Sequence, residues 1–215
     1  MSEPQDSSKD AALDAFLGLV ADKGYAAVSL RDVAIAAGLG FADLYRLYPD
    51  KLALVKAFVA RIDREVLAGT SPALDPEETV RDRLFDVMMR RFDALKPHRA
   101  IVASLRRAAS RDPVLALALA PATRRSMALM LEAAGAASDG LAGAVRQRGL
   151  LAIYGTVWRV FDRDDSADLG KTMAALDGRL KTAERWAQVF ERYAQRPRRG
   201  EPEPKPEPEV NSPEA

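Results

Sequence analysis

An all-α fold is predicted by three observations. Apolar residues recur at helical spacing through most of the chain, no segment alternates with period two, and Gly and Pro divide the sequence into helix-length pieces. The predicted architecture is an N-terminal three-helix unit containing a helix-turn-helix, with a C-terminal helical bundle behind it.

The first helix is expected after Ser7 or Ser8, either of which can cap it. Leu13, Phe16, Leu17 and Val20 form its apolar stripe, and Gly24 stops it. Ser29 with Asp32 three residues on is a capping box that opens a second helix reaching about residue 37. Gly38 breaks that helix, and a third is expected over 41–47. Pro49-Asp50 then ends one helix and caps the next, which carries Leu52, Val55, Phe58, Val59 and Ile62. Beyond Gly69-Thr70-Ser71-Pro72, helices are expected over 77–95, 99–110, 113–134 with an interruption at Pro121, 139–161 and 168–194. The resulting division is a disordered lead (1–7), the helix-turn-helix domain (8–55), a helical ligand-binding and dimerisation domain (56–195) and a tail (196–215). In that tail Pro and Glu alternate and little apolar surface offsets ordering entropy, so it is expected to be disordered.

Composition narrows the chemistry. The 215 residues carry a formal net charge of +1, so any binding of a polyanion must come from local placement of charge. There is no cysteine, which excludes disulfides, thiolate metal sites and cysteine nucleophiles. His98 is the only histidine, which excludes a histidine-rich metal centre. Carboxylates and hydroxyls are plentiful, but no spacing organises them into acid–base or nucleophilic groups, so neither an enzyme, a metal nor a cofactor is expected. The N-terminus lacks the pattern of a signal peptide, and the most apolar run, 113–121, is too short to span a bilayer. A cytoplasmic protein without stable membrane insertion is expected.

Residues 29–48 carry the most specific pattern. Two short helices across a Gly-containing turn are the design of a helix-turn-helix, whose second helix can enter a major groove. Val33, Ala34, Ala37, Leu39 and Leu44 supply the small and aliphatic contacts that let the helices cross closely.

The stretch 12–55 resembles the N-terminal signature of the TetR family of repressors. The matching pieces are Asp22-Lys23-Gly24-Tyr25, Ser29, Val33-Ala34, Gly38, Tyr45 and Tyr48-Pro49-Asp50-Lys51. The resemblance implies a ligand-responsive DNA-binding regulator, a repressor acting as a homodimer on a palindromic operator in double-stranded DNA, with an apolar small molecule as effector. The candidate DNA-binding residues are Ser29, Arg31, Phe41, Ala42, Asp43, Tyr45, Arg46, Tyr48 and Lys51. Carried over from the family, Tyr45 and Lys51 contact phosphates, Ser29 presents its hydroxyl and amide to the backbone, and Phe41, Ala42 and Arg46 lie nearest base edges.

The chain departs from the family at Gly40, Phe41, Ala42 and Asp43, where many relatives place a hydroxyl and a basic residue. In the unit as a whole Lys9, Lys23, Arg31, Arg46, Lys51 and Lys56 are balanced by Asp10, Asp14, Asp22, Asp32, Asp43 and Asp50. Strong DNA binding needs phosphate-neutralising cations, so this surface reads as atypical.

Residues 153–180 resemble part of another family of the same fold, the lipid-binding accessory proteins of ubiquinone biosynthesis. Ile153-Tyr154, the acidic cluster 164–168 around Ser166, Thr172, and Leu176-Asp177 followed by Arg179-Leu180 carry that likeness. It implies an alternative function, a lipid- or isoprenoid-binding protein that has lost operator binding. Ser166 or Asp168 as a helix N-cap accounts for the same residues without a ligand. The candidate ligand pocket is Phe85, Met88, Met89, Phe92, Met127, Met130, Tyr154, Trp158 and Phe161, residue types that suit an adaptable apolar site and equally any helical core. The helices around Tyr154 and Trp186 are the expected dimer face.

Overall fold

The computed structural model describes residues 3–71 and 73–194; the Pro/Glu-rich tail, 196–215, lies outside the described residues. Nine α-helices occur among them: α1 (Glu3–Lys23), α2 (Leu30–Ala36), α3 (Phe41–Leu47), α4 (Lys51–Ala68), α5 (Val80–Leu95), α6 (Arg99–Arg111), α7 (Pro113–Ala133), α8 (Gly140–Phe161) and α9 (Gly170–Ala194). No strand is present among the described residues. α1, α2 and α3 form the N-terminal unit. α4 runs from that unit into the body, where it packs on α5 and α7, and α8 lies against α7 and α9.

Local chemistry explains most boundaries. Ser29, Asp50, Thr79 and Asp112 each accept a backbone N–H in the first turn of α2, α4, α5 and α7. Thr79 starts α5 three residues later than the expected residue 77, because its hydroxyl accepts from the Asp82 amide and donates to the Asp82 carboxylate. α1 begins at Glu3 rather than after Ser7 or Ser8, so residues 3–7 of the expected disordered lead are helical. Pro4 falls in the first turn, where its missing N–H removes no intrahelical bond, and Asp6 complements the positive helix end. Leu13, Phe16, Leu17 and Val20 form the buried stripe of α1, each contributing about 1.5–3 kcal/mol of apolar burial.

The expected interruption at Pro121 does not occur, and α7 runs through it. Pro121 removes the hydrogen bond to the Leu117 carbonyl, but Leu117 and Pro121 both lie on the exposed side, where water can serve that carbonyl. By length and composition alone α7 could cross a membrane, although the sequence has no uninterrupted apolar run of that length. Arg124 and Arg125 sit in its middle, and its second half buries Met127, Met130 and Leu131 in the core.

Candidate functional site

The helix-turn-helix is held by short-range polar contacts. The Ser29 hydroxyl accepts from the Asp32 amide at 3.2 Å, and the Ser29 amide donates to the Asp32 carboxylate at 2.9 Å. Bonds from the Ser29 hydroxyl and amide also hold the Asp32 carboxyl below its usual range. Gly38, at φ 66°, makes the turn in the left-handed region that a side chain disfavours, and the Leu39 amide closes it on the Ala34 carbonyl at 2.9 Å.

α3 then divides its residues cleanly. Leu44 is fully buried, whereas Phe41 is 55% and Tyr45 57% exposed, with Ala42, Asp43 and Arg46 exposed beside them. Ser29 and Arg31 are exposed at the start of α2. Ile35, which sequence reasoning missed, is 72% exposed on α2 and extends the apolar character of this surface. Only its failure to fit the buried stripe of Val33 and Ala34 could have drawn attention to it.

Two of the expected DNA contacts are placed elsewhere. Tyr48 is buried and its hydroxyl donates to the Lys9 carbonyl at 3.3 Å, so it ties α3 to α1. The Lys51 ammonium points inward and donates to the Val28 carbonyl at 2.7 Å and the Tyr25 carbonyl at 3.1 Å, 4.5 Å above the Tyr25 ring. Burial pulls its pKa down. Those carbonyls belong to the 3-10 turn Tyr25–Ala27 and the residue after it, where the short helix leaves acceptors that the ammonium serves.

Five of the six acids are also assigned. Asp10 and Asp14 pair with Arg61 of α4, Asp32 closes the capping box, Asp50 caps α4, and Asp43 pairs with Arg46. Asp43 is the third residue of α3, a helix whose N-cap, Gly40, supplies no side-chain acceptor, so its charge complements the helix dipole.

Behind the unit lies an apolar cavity of about 390 Å³ between α4, α5, α6, α7 and α8. Its floor includes Phe58, Ile62, Leu105 and Leu151. Of the nine expected pocket residues, Tyr154 and Trp158 line it. Met88, Met89, Phe92, Met127, Met130 and Phe161 are instead buried in the core, and Phe85 packs half-buried against it. Phe92 stacks on Tyr154 at 5.6 Å and Phe161 meets Trp158 at 4.8 Å, so these rings back the cavity wall from the protein side. Arg91 also lines the cavity and donates to the buried Asp63, which accepts from the Ser126 hydroxyl at 2.5 Å.

α6 joins the two regions. Leu105 and Arg106 face the cavity, while Ser104 accepts from the Tyr25 amide at 2.8 Å in the N-terminal unit. Among the described residues no group of three His, Cys, Asp or Glu side chains is placed to hold a metal ion.

Residues 12–58 match the sequence profile described as bacterial regulatory proteins, tetR family. Solved structures of similar fold include a TetR transcriptional regulator from Nitrosomonas europaea (22% identity, TM-score 0.67, 82% of this chain and 97% of that one). A regulator from Rhodococcus sp. RHA1 matches at 22% identity and TM-score 0.60, over 83% and 96% of the two chains. One from Streptomyces coelicolor matches at 18% and 0.56, over 91% and 92%. At these identities the likeness establishes the fold. No curated protein sequence matches the chain.

Proposed function

We propose that the chain is a regulator of the TetR type, a cytoplasmic, ligand-responsive transcriptional repressor that binds a palindromic operator as a homodimer; the match of residues 12–58 and the shared fold support this reading. The observation that carries this reading is the outward face of α3, where Phe41, Ala42, Asp43, Tyr45 and Arg46 are exposed on a helix anchored by Leu44. Their spacing lets one helix face present base-edge and phosphate contacts together. Dimerisation is assigned to α8 and α9. Exposed Val145 and Trp186 line, with Ile153 and Ala183, an apolar groove of about 460 Å³, the kind of surface that a second copy covers.

Ligand response is assigned to the cavity. A molecule seated between α4 and α6 would favour one arrangement of those helices, and Ser104 would carry that preference to Tyr25 and the recognition unit. The lipid-carrier alternative finds no separate support, because the acidic cluster it drew on has a structural role in the α8–α9 connection.

Selection of genomic fragments with ligand-free protein at low salt is expected to enrich a palindromic site; enrichment of no sequence would overturn the reading. On the enriched site, Asp43→Asn is expected to raise affinity about five- to tenfold by freeing Arg46, expected beside the base edges, to reach a neighbouring phosphate in place of the inward-turned Lys51, and to steepen the salt dependence by about 0.9 in the log–log slope. Fluorescence anisotropy at two salt concentrations checks both. An unchanged slope would mean that Arg46 does not reach the DNA backbone.

A further inference from the structure

The charge lining the cavity says what kind of molecule it accepts, given its reading as the effector site. Its lining holds two arginines, Arg91 and Arg106, and no acidic residue. The two cations differ in their surroundings. Arg91 is 4% exposed and its charge is answered by Asp63. Arg106 is exposed at the rim, where Ala116, Ala120 and Gly155 are also exposed and open the cavity to solvent. Its guanidinium lies 5.5 Å from the centroid of the Trp158 ring, and no carboxylate among the described residues pairs with it.

A second observation points the same way. The buried side-chain polar atoms without a partner, among the described residues, are Arg91 Nε, Arg99 Nε, Arg99 Nη2 and Trp158 Nε1. All are donors, and Arg91 and Trp158 line the cavity. This region of the body therefore has a surplus of N–H groups and a shortage of acceptors, in an otherwise apolar setting. An anionic head group answers the one unpaired guanidinium, Arg106, whereas a cationic ligand would meet that guanidinium with no carboxylate in the lining to offset the repulsion.

From this pattern we propose that the effector is an amphipathic monocarboxylate. Its head group is bound by Arg106 at the rim, and its hydrocarbon body lies on Phe58, Ile62, Leu105 and Leu151. One uncompensated cation matches one negative charge. A dianionic phosphate monoester would leave a charge unanswered at the edge of an apolar site. A single guanidinium also gives a planar, two-pronged contact that an alcohol of the same length cannot use.

The test uses the full chain, isothermal titration calorimetry and three probes of equal chain length: decanoate and decyltrimethylammonium, each below its micelle concentration, and decanol below its solubility limit. Decanoate is expected to bind at one per chain and at least about tenfold more tightly than decanol, with no detectable binding of the ammonium. Arg106→Ala is expected to remove most of the preference for decanoate while leaving decanol affinity within about twofold, and Arg106→Lys to restore part of it. Equal affinity for acid and alcohol, tighter binding of the cation, failure of all three probes, or an Arg106→Ala variant that keeps the preference would each overturn the proposal.

Operator binding by ligand-free protein, measured on the same samples, separates the two readings. Decanoate binding without any DNA binding leaves the carboxylate site standing and removes the regulator. DNA binding with no discrimination among the probes does the reverse.

Discussion

Arg91→Met is expected to destabilise the chain by about 3–5 kcal/mol, read as a lowered urea midpoint at unchanged slope. Arg91 and Asp63 are both buried, and the Asp63 carboxylate accepts from the Arg91 guanidinium and the Ser126 hydroxyl. Methionine matches the aliphatic stem of arginine but leaves a buried carboxylate with one neutral donor, the Ser126 hydroxyl. The cost is the unanswered charge rather than the worth of the ion pair itself. The double variant Arg91→Met, Asp63→Leu should therefore recover most of the loss, since an apolar pair of similar volume often replaces a buried ion pair without penalty. If the double variant is as unstable as the single one, packing around Arg91 and not charge is responsible. The site matters for function because Asp63 lies on α4, Arg91 on α5 and Ser126 on α7. The three side chains fasten the body end of the helix that also begins at the recognition unit.

Sequence reasoning reads the helix-turn-helix well because its determinants are local. Ser29 with Asp32, Gly38 and Pro49-Asp50 each act within four residues, and the structure uses each as spacing predicts. Pro121 shows the limit of the same rules, since whether a proline ends a helix depends on which side of it faces water. The charge balance fails for a related reason. Counting acids against bases gives a neutral surface, yet Asp10 and Asp14 are bound by Arg61, which lies outside the counted unit, and Lys51 is itself turned inward. Periodicity likewise identifies Met88, Phe92, Met127, Met130 and Phe161 as buried but does not tell a residue that fills the core from one that borders a void. That distinction depends on how five helices meet. Ser104 carries no sequence mark of its role, because a lone serine on an amphipathic helix is ordinary until a partner amide lies opposite.

Asp164→Ala is expected to cost about 3 kcal/mol, well beyond an ordinary single hydrogen bond. Asp164 is fully buried in the connection between α8 and α9. It accepts from the Ser166 amide and hydroxyl on one oxygen, and from the Thr172 amide at 2.8 Å and hydroxyl at 2.7 Å on the other. The same connection holds Leu169 at φ 57°, a left-handed conformation that a leucine keeps only when its surroundings enforce it. Burial alone would raise the Asp164 carboxyl, but the hydrogen bonds from Ser166 and Thr172 outweigh it and hold the group well below the usual carboxylate range. A carboxyl with a depressed folded-state pKa stabilises the protein fully above its unfolded value, about 3.9, and loses that contribution as pH falls further. Asp164→Asn keeps the shape but cannot titrate. The gap in urea midpoint between the native chain and Asp164→Asn should accordingly be constant near neutrality and narrow below about pH 4. A gap that stays the same down to pH 3 would show that charge at Asp164 contributes nothing. Because α8 and α9 form the proposed dimer face, Asp164→Ala should also shift the monomer–dimer equilibrium toward monomer in sedimentation runs under conditions where the chain remains folded. An unaffected dimer would mean that the helix pair keeps its geometry without this connection.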